Sequence, residues 1–171
     1  MNGAEKTYTD FVLPPSLVTK VDVSHLVSEA ERVDNEMTSA AVRAKAGSSE
    51  QPALVMSAQL ADFLAQNGLT LGGSNERSAL IKQLHLLKDN VPTIHMTFAV
   101  EADRESLERL SQWLRQSIHP QAVIAVGLQP ALIAGVYVRT PNHVHDLSLR
   151  ALFDGQRGAL VKELEALRGA N

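Results

Sequence analysis

Along the first half of the chain, apolar residues recur every three or four positions. After Asp22 this apolar stripe runs through Leu26, Ala30, Val33, Met37, Ala41 and Ala44. Such spacing places the apolar side chains on one face of an α-helix. The sequence therefore predicts one long amphipathic helix, with Asp22 or Ser24 as its N-cap and Gly47 at its end.

Shorter helical patterns follow the long helix, and an arm precedes it. One predicted helix spans about residues 57–66, and the next begins at an N-cap on Ser74 and runs to about Lys88. The arm, residues 1–21, contains two consecutive prolines, which exclude helix and favour an extended backbone. The pattern thus predicts an extended arm followed by a helical N-terminal part, residues 22–90.

At Pro92 the hydrophobic period changes to two. Apolar residues at 94, 96, 98 and 100 alternate with other residues, which predicts a half-buried strand. Asp103 can cap the next helix. The continuous apolar run at 122–128 predicts a second strand that is covered on both faces.

The remaining residues predict two more strands and a terminal helix. A turn at Gln129 and Pro130 would join the second and third strands as an antiparallel hairpin. Gly155 and Gly158 predict a bend or break in the last helix. The predicted fold class is α+β, a helical N-terminal part followed by a small mixed-sheet α/β domain, residues 92–171, in the order β-α-β-β-β-α.

Composition narrows the possible functions. The 171 residues include no cysteine, which excludes disulfides and thiolate metal sites and agrees with a reducing compartment. A formal net charge of -3 argues against nucleic acid as a partner. No window approaches the roughly 20 apolar residues that a membrane-spanning helix needs. We therefore expect a cytoplasmic protein without direct membrane insertion.

His143, His145 and Asp146 are the candidate side chains for chemistry. In a strand the two histidines would point to one face and the aspartate to the other. That geometry supplies at most two metal ligands, whereas a zinc site uses three or four. We expect no metal, no cofactor and no catalytic residue. The alternatives are a small α/β ligand-binding or enzymatic domain that uses these three residues, or an unrelated helical adaptor.

A pattern of small and polar residues follows the predicted third strand. Gly135 within a strand is best explained by the close approach of another backbone or of a helix, and Asp146 or Ser148 can cap the terminal helix. With the order of elements over roughly residues 92–167, these positions resemble the C-terminal domain of the delta subunit of F-type ATP synthases, called OSCP in mitochondria. The matching positions are Ile133, Gly135, Val136, Val138, Arg139, Asp146 and Ser148.

The sequence departs from that family in several places. Ala134 and Leu147 stand where glycines are usual. The family also has a six-helix bundle that sits on the catalytic head, whereas this chain has room for about three helices before the first strand.

The resemblance implies a non-catalytic stator subunit of a proton-translocating F-type ATP synthase. Such a subunit links the membrane-anchored b-type stalk subunits to the alpha/beta catalytic head, F1, and lies in the cytoplasm, peripheral to the inner face of the cell membrane. In the family the C-terminal domain meets the end of the b helices. Our candidate contacts on the terminal helix are Leu160, Leu164 and Leu167. The stripe with Leu26, Val33 and Met37 meets either a partner or the protein's own core.

Overall fold

The computed structural model describes residues 6–47, 55–140 and 143–169, and within the last helix it leaves the side chains of 159, 160 and 163–169 undescribed. Over these residues the fold is α+β, with helices first and a four-stranded mixed sheet after them, which confirms the predicted class and the order β-α-β-β-β-α. The division of the chain at residues 21 and 91 stays a prediction.

The helices are α1 (Lys20–Lys45), α2 (Ala58–Asn67), α3 (Ser74–Asn90), α4 (Arg104–Ser117) and α5 (Leu149–Gly169). The strands are β1 (Thr93–Phe98), β2 (Val123–Leu128), β3 (Gly135–Arg139) and β4 (Val144–Ser148).

Helix α1 begins at a capping box rather than at the predicted caps. The Thr19 side chain accepts a hydrogen bond from the Asp22 amide at 3.1 Å, and the Asp22 carboxylate accepts one from the Thr19 amide at 2.8 Å. The N-cap is therefore Thr19, and neither Asp22 nor Ser24 holds that position. Asp22 contributes from the third helical residue, because its longer reach lets it bond back to the cap.

The ends of the next helices follow their local sequence closely. Ser57 caps α2, and Gly68 ends it in the left-handed conformation with φ of 62°. Helix α3 differs in its cap, because Gly73 is the N-cap and Ser74 is already helical. Asp103 caps α4 as predicted, accepting from the Ser106 amide at 2.8 Å.

The helical part has its own apolar core, called the helical core here. Helix α1 packs against α2 and α3, and the largest side chains in this core are fully buried. Phe63 meets Phe11 edge to face with ring centroids 5.3 Å apart. Arg77 of α3 donates to Asp34 of α1 at 2.6 Å, which joins the two helices beside this core.

The sheet has the strand order β2-β1-β3-β4. Strands β1 and β2 are parallel, as expected for strands joined through α4, while β3 runs antiparallel to both β1 and β4. The predicted hairpin between β2 and β3 is therefore wrong. A short 3-10 helix, Pro130–Leu132, carries the chain from β2 past β1 to the other edge of that strand.

Helix α4 covers one face of the sheet and forms a second core, called the sheet core here. Its buried residues are Val18, Ile94, Met96, Leu107, Leu114, Ala122 and Ile124. The second half of β2 is not covered on both faces, because Val126 and Leu128 are exposed. The prediction of a fully buried strand was wrong there, since β2 lies at the edge of the sheet rather than in its middle.

Helix α5 is continuous from Leu149 to Gly169, so the helix does not break at Gly155 or Gly158. The alternative of a bend there stays a prediction. Both glycines face open space, and nothing lies within 4 Å of the place where a Cβ would stand. Within the described residues, none of the helices combines the length and apolar character needed to cross a bilayer.

Candidate partner-binding site

Gly135 opens β3 at a point of close backbone approach. Its φ is +94°, and a Cβ there would lie 2.3 Å from the Leu147 carbonyl oxygen and 2.9 Å from the Ser148 Cα. Both the conformation and the clash exclude an ordinary side chain. The prediction of a close backbone neighbour is confirmed, and the neighbour is strand β4.

The residues just before Gly135 bring the start of β3 to the start of α5. Ile133 has φ of 66°, a conformation that β-branched residues rarely adopt. The Ala134 carbonyl then accepts a hydrogen bond from the Leu149 amide at 2.9 Å. This bond fixes the first residue of α5 beside the entrance to β3.

Ser148 caps α5, as one of the two predicted possibilities. Its hydroxyl accepts from the Ala151 amide at 3.2 Å, which satisfies a free N–H of the first helical turn. Asp146 accepts from the Ser148 amide at 3.0 Å instead of capping the helix directly. Hydrogen bonds from the Ser148 side chain and backbone hold the pKa of Asp146 below its usual value. The carboxylate thus stays ionised and steadies the junction between β4 and α5.

The two histidines and Asp146 do not converge on one site. His145 pairs across the sheet with Val138, on the face that α4 covers elsewhere, while Asp146 pairs with Tyr137 on the other face. The His143 and His145 rings have centroids 6.1 Å apart. Among residues 6–47, 55–140 and 143–169, no group of three or more possible metal ligands was found.

Arg139 ends β3, far from the Asp146 and Ser148 junction along the hairpin. It lies opposite Val144 of β4 and His95 of β1, with its side chain exposed. Five of the seven positions that carry the family resemblance thus lie at the two ends of the hairpin, and Val136 and Val138 lie between them in β3. Ile133, Gly135, Asp146 and Ser148 lie at one end of the hairpin, and Arg139 lies at the other.

A shallow apolar groove lies where the hairpin meets α5, and we name it the hairpin groove. Its volume is about 490 Å³, and its lining residues are Ala134, Gly135, Asp146, Leu147, Ser148, Leu149, Ala151 and Leu152. Leu147 is 64% exposed and Leu152 is 59% exposed. Phe153, beside Leu152 in the sequence, is 58% exposed. The groove therefore presents large apolar side chains to solvent at one end of the molecule.

The apolar stripe of α5 starts in this groove. Leu149, Leu152 and Phe153 occupy its first turns, and the sequence continues the same spacing through Leu160, Leu164 and Leu167. The side chains of these last three lie outside the described residues. The helix backbone itself extends for 21 residues, a length of about 30 Å.

The other predicted partner stripe, on α1, lies inside the protein. Leu26 and Val33 are buried in the helical core, and Met37 packs against it half-buried. Of the two meanings left open for this stripe, the structure shows the chain's own core for Leu26 and Val33. Contact with a partner through them would require α1 to separate from α3.

Sequence reasoning passed over Leu147, which was noted only as a departure from the family pattern. Its exposure follows from its place on the edge strand, beyond the reach of α4, and the sequence signal was an apolar residue one position before a helix cap.

Compared with known proteins, the chain matches no family model, and no curated protein matches it.

Proposed function

We propose that this chain is a non-catalytic stator subunit, similar to the delta subunit of F-type ATP synthases, that binds b-type stalk subunits. The observation that carries the proposal is the exposed apolar surface where the hairpin groove meets the first turns of α5, whereas the main apolar stripes of α1 to α4 contribute buried residues to the two cores. A large exposed apolar surface on a folded protein is typical of a protein interface.

Three further features support this role. The resemblance in the hairpin and terminal helix involves residues whose structural roles are now defined, above all Gly135 and Ser148. A helix of about 30 Å offers a long face to a partner helix. The described histidines and Asp146 lie on different faces, which does not favour the alternative of a ligand-binding or enzymatic domain built on them.

In the proposed assembly, the chain binds the b-type subunits through one surface and the alpha/beta head through another. Binding to the b-type subunits would use the groove and the apolar stripe of α5. Binding to the alpha/beta head would use the helical part, where α1, α2 and α3 stand in place of the six-helix bundle. In this role the protein lies in the cytoplasm, peripheral to the inner face of the membrane through the complex.

The test is co-expression with b-type and alpha/beta head subunits from the same genome, followed by pull-down and light scattering. We expect a stable complex with the b-type subunit. Leu152→Asp combined with Phe153→Asp should weaken that binding at least about tenfold, because charges then replace apolar contacts at the interface. The unfolding midpoint of the isolated chain should stay unchanged, because both residues are exposed.

Val21→Asp combined with Val42→Asp is the matched control, because both valines are exposed on α1, away from the groove. This control should bind like the native chain. Leu160→Asp with Leu164→Asp extends the test along α5 and should also weaken b binding. A native chain that binds neither partner, at concentrations well above those in the cell, contradicts the stator role.

A further inference from the structure

The arm before α1 contributes side chains to both cores of the protein. Phe11, Leu13 and Leu17 are buried in the helical core. Val18, one residue further on, is buried in the sheet core beside Ile124. A single segment with a turn at residues 15 and 16 thus passes from one core to the other before the first long helix begins.

Arg115 of α4 binds the arm through its backbone carbonyls. Its Nη1 donates to the Leu13 oxygen at 3.2 Å and to the Pro14 oxygen at 3.1 Å, and its Nη2 donates to the Leu17 oxygen. Its Nε donates to the Ala122 oxygen at 3.2 Å, just before β2. The guanidinium is thereby bonded to four carbonyls at once, a use that its planar fork of donors permits.

No carboxylate in the described part of the chain forms an ion pair with Arg115. Burial of the guanidinium lowers the pKa of Arg115 from its usual value. Arg115 is partly buried, and a charge withdrawn from water without a counter-ion is costly unless hydrogen bonds satisfy it. Here the carbonyls of the arm supply those bonds, so the arm and the arginine stabilise each other.

Two buried amide side chains bind earlier residues of the arm. Gln121 Nε2 donates to the Tyr8 oxygen at 2.7 Å and to the Phe11 oxygen at 2.9 Å. Asn67 accepts from the Val12 amide and donates to the Val12 oxygen, both at 2.9 Å. Gln121 follows α4, whereas Asn67 ends α2, so the arm is held from both parts of the molecule.

The end of the arm also adds to the sheet. The Ile124 amide donates to the Val18 oxygen at 2.9 Å, and Thr19 forms a parallel bridge with Ile124. Strand β2 is an edge of the sheet, so the arm covers the first part of that edge. The covalent connection between α3 and β1 is short, at Val91 and Pro92, and the arm provides a second connection between the two parts.

We propose that the arm, residues 6–19, is a clasp that holds the helical part and the sheet as one rigid body, and that Arg115 is the positioning residue that closes it. Replacing Arg115 by methionine keeps an unbranched apolar stem, removes the guanidinium and leaves the arm carbonyls without their donors. The arm should then detach from α4 and from the edge of β2, while each core keeps its own packing.

The test is hydrogen exchange on the full chain alone, comparing the native protein with Arg115→Met. We expect the amides of Leu17 and Ile124 to exchange at least about tenfold faster in the variant, because both bond within or to the arm. The amides of Leu84 and Leu87, in the middle of α3, should keep their native rates. Arg109→Met is the matched control, because Arg109 is an exposed arginine on the same helix, and it should change none of these rates.

A second measurement follows the two parts directly. The chain lacks cysteine, so cysteines introduced at the exposed positions Val42 and Gln112 can carry one spin label each. We expect a single narrow distance distribution in the native protein and a broader one with Arg115→Met. Arg115→Lys should give an intermediate width, because an ammonium is a compact charge that lacks the fork of donors.

Gln121→Met provides a milder way to loosen the clasp if Arg115→Met fails to fold, and it should raise the exchange rate of the arm amides alone. Uniform acceleration that includes Leu84, or none at Leu17 and Ile124, would overturn the proposal. So would a lysine variant that is indistinguishable from the native protein. The experiment uses no partner, so its failure would leave the stator role untouched.

Discussion

The helical part buries its largest apolar side chains, whereas the terminal hairpin and the start of α5 leave theirs exposed to solvent. In the helical part, Phe63, Leu60 and Leu84 are fully enclosed by neighbouring helices. After residue 131, among the side chains whose burial is described, only Leu132 and Ser148 are buried. The first region is stabilised by its own packing, whereas the second is held by strand pairing and a helix cap and leaves its apolar residues exposed. Composition alone does not distinguish a buried core from an exposed apolar surface, because both regions are rich in leucine.

The largest expected effect separates the two regions with one kind of substitution. Phe63→Ala should destabilise the protein by about 3 to 5 kcal/mol, because it opens a cavity in the helical core and removes the contact with Phe11. Phe153→Ala should change stability by less than about 0.5 kcal/mol, because that ring is exposed. Urea unfolding of both variants measures the difference.

An equal loss of stability in the two phenylalanine variants would break the comparison. It would mean that α5 packs on the chain itself in solution. In that case the hairpin groove would be closed rather than open to a partner.

A smaller effect is expected at the joint between β3 and β4. Gly135→Val should cost about 1 to 3 kcal/mol, because the new side chain meets the Leu147 carbonyl and the backbone has positive φ. Gly155→Ala is the control within α5, where the added methyl meets open space and should stabilise the helix by up to about 1 kcal/mol. Thermal unfolding of the two variants gives both values, and an unchanged midpoint for Gly135→Val would show that the close approach relaxes without cost.

The smallest effect concerns acid stability. Burial raises the pKa of Asp22, but hydrogen bonds from Thr19 and Arg104 outweigh it, so the pKa lies below its usual value of 3.8. A carboxylate with a depressed folded pKa stabilises the protein above its unfolded pKa, and that stabilisation is lost as the pH falls through the folded value. Unfolding midpoints should therefore fall as the pH is lowered below about 4.

Asp22→Asn should flatten this acid limb, because the side chain no longer titrates. Asp146→Asn is the matched change in the exposed hairpin, where hydrogen bonds from Ser148 also lower the pKa. Its effect on the acid limb should be smaller, because solvent screens that carboxylate. A reversed order of the two variants would show that the hairpin depends more on its charges than the helical part does.

Local signals predicted most elements, and the error in strand pairing has a physical cause. The helices, the change of period near Pro92 and the cap at Asp103 follow from residues close in sequence. The pairing of β2 with β3 was wrong because a short turn signal cannot report that β1 has a second free edge. Strand order depends on which edges remain open in the assembled sheet, and the pattern of one segment does not contain that information.

The structural roles in the candidate site could be predicted from the sequence, whereas those in the clasp could not. The roles of Gly135 and Ser148 were predictable, because backbone conformation and helix capping are local constraints. The roles of Arg115 and Gln121 were not, because their partners lie far away in sequence. The available signal was the pair of prolines in the arm, which lack amide hydrogens and leave carbonyls that need donors from elsewhere.

The arm also has a consequence for the order in which the protein is completed during synthesis. It is synthesised before α4, yet Arg115 bonds to a residue 102 positions earlier and Gln121 to one 113 positions earlier. The arm carbonyls therefore bond to water until α4 and the residues after it have left the ribosome. The entropic cost of closing a loop grows only slowly with its length, so late closure costs little more than early closure. A segment that is synthesised before α4 is thus fastened in place only after α4 is complete.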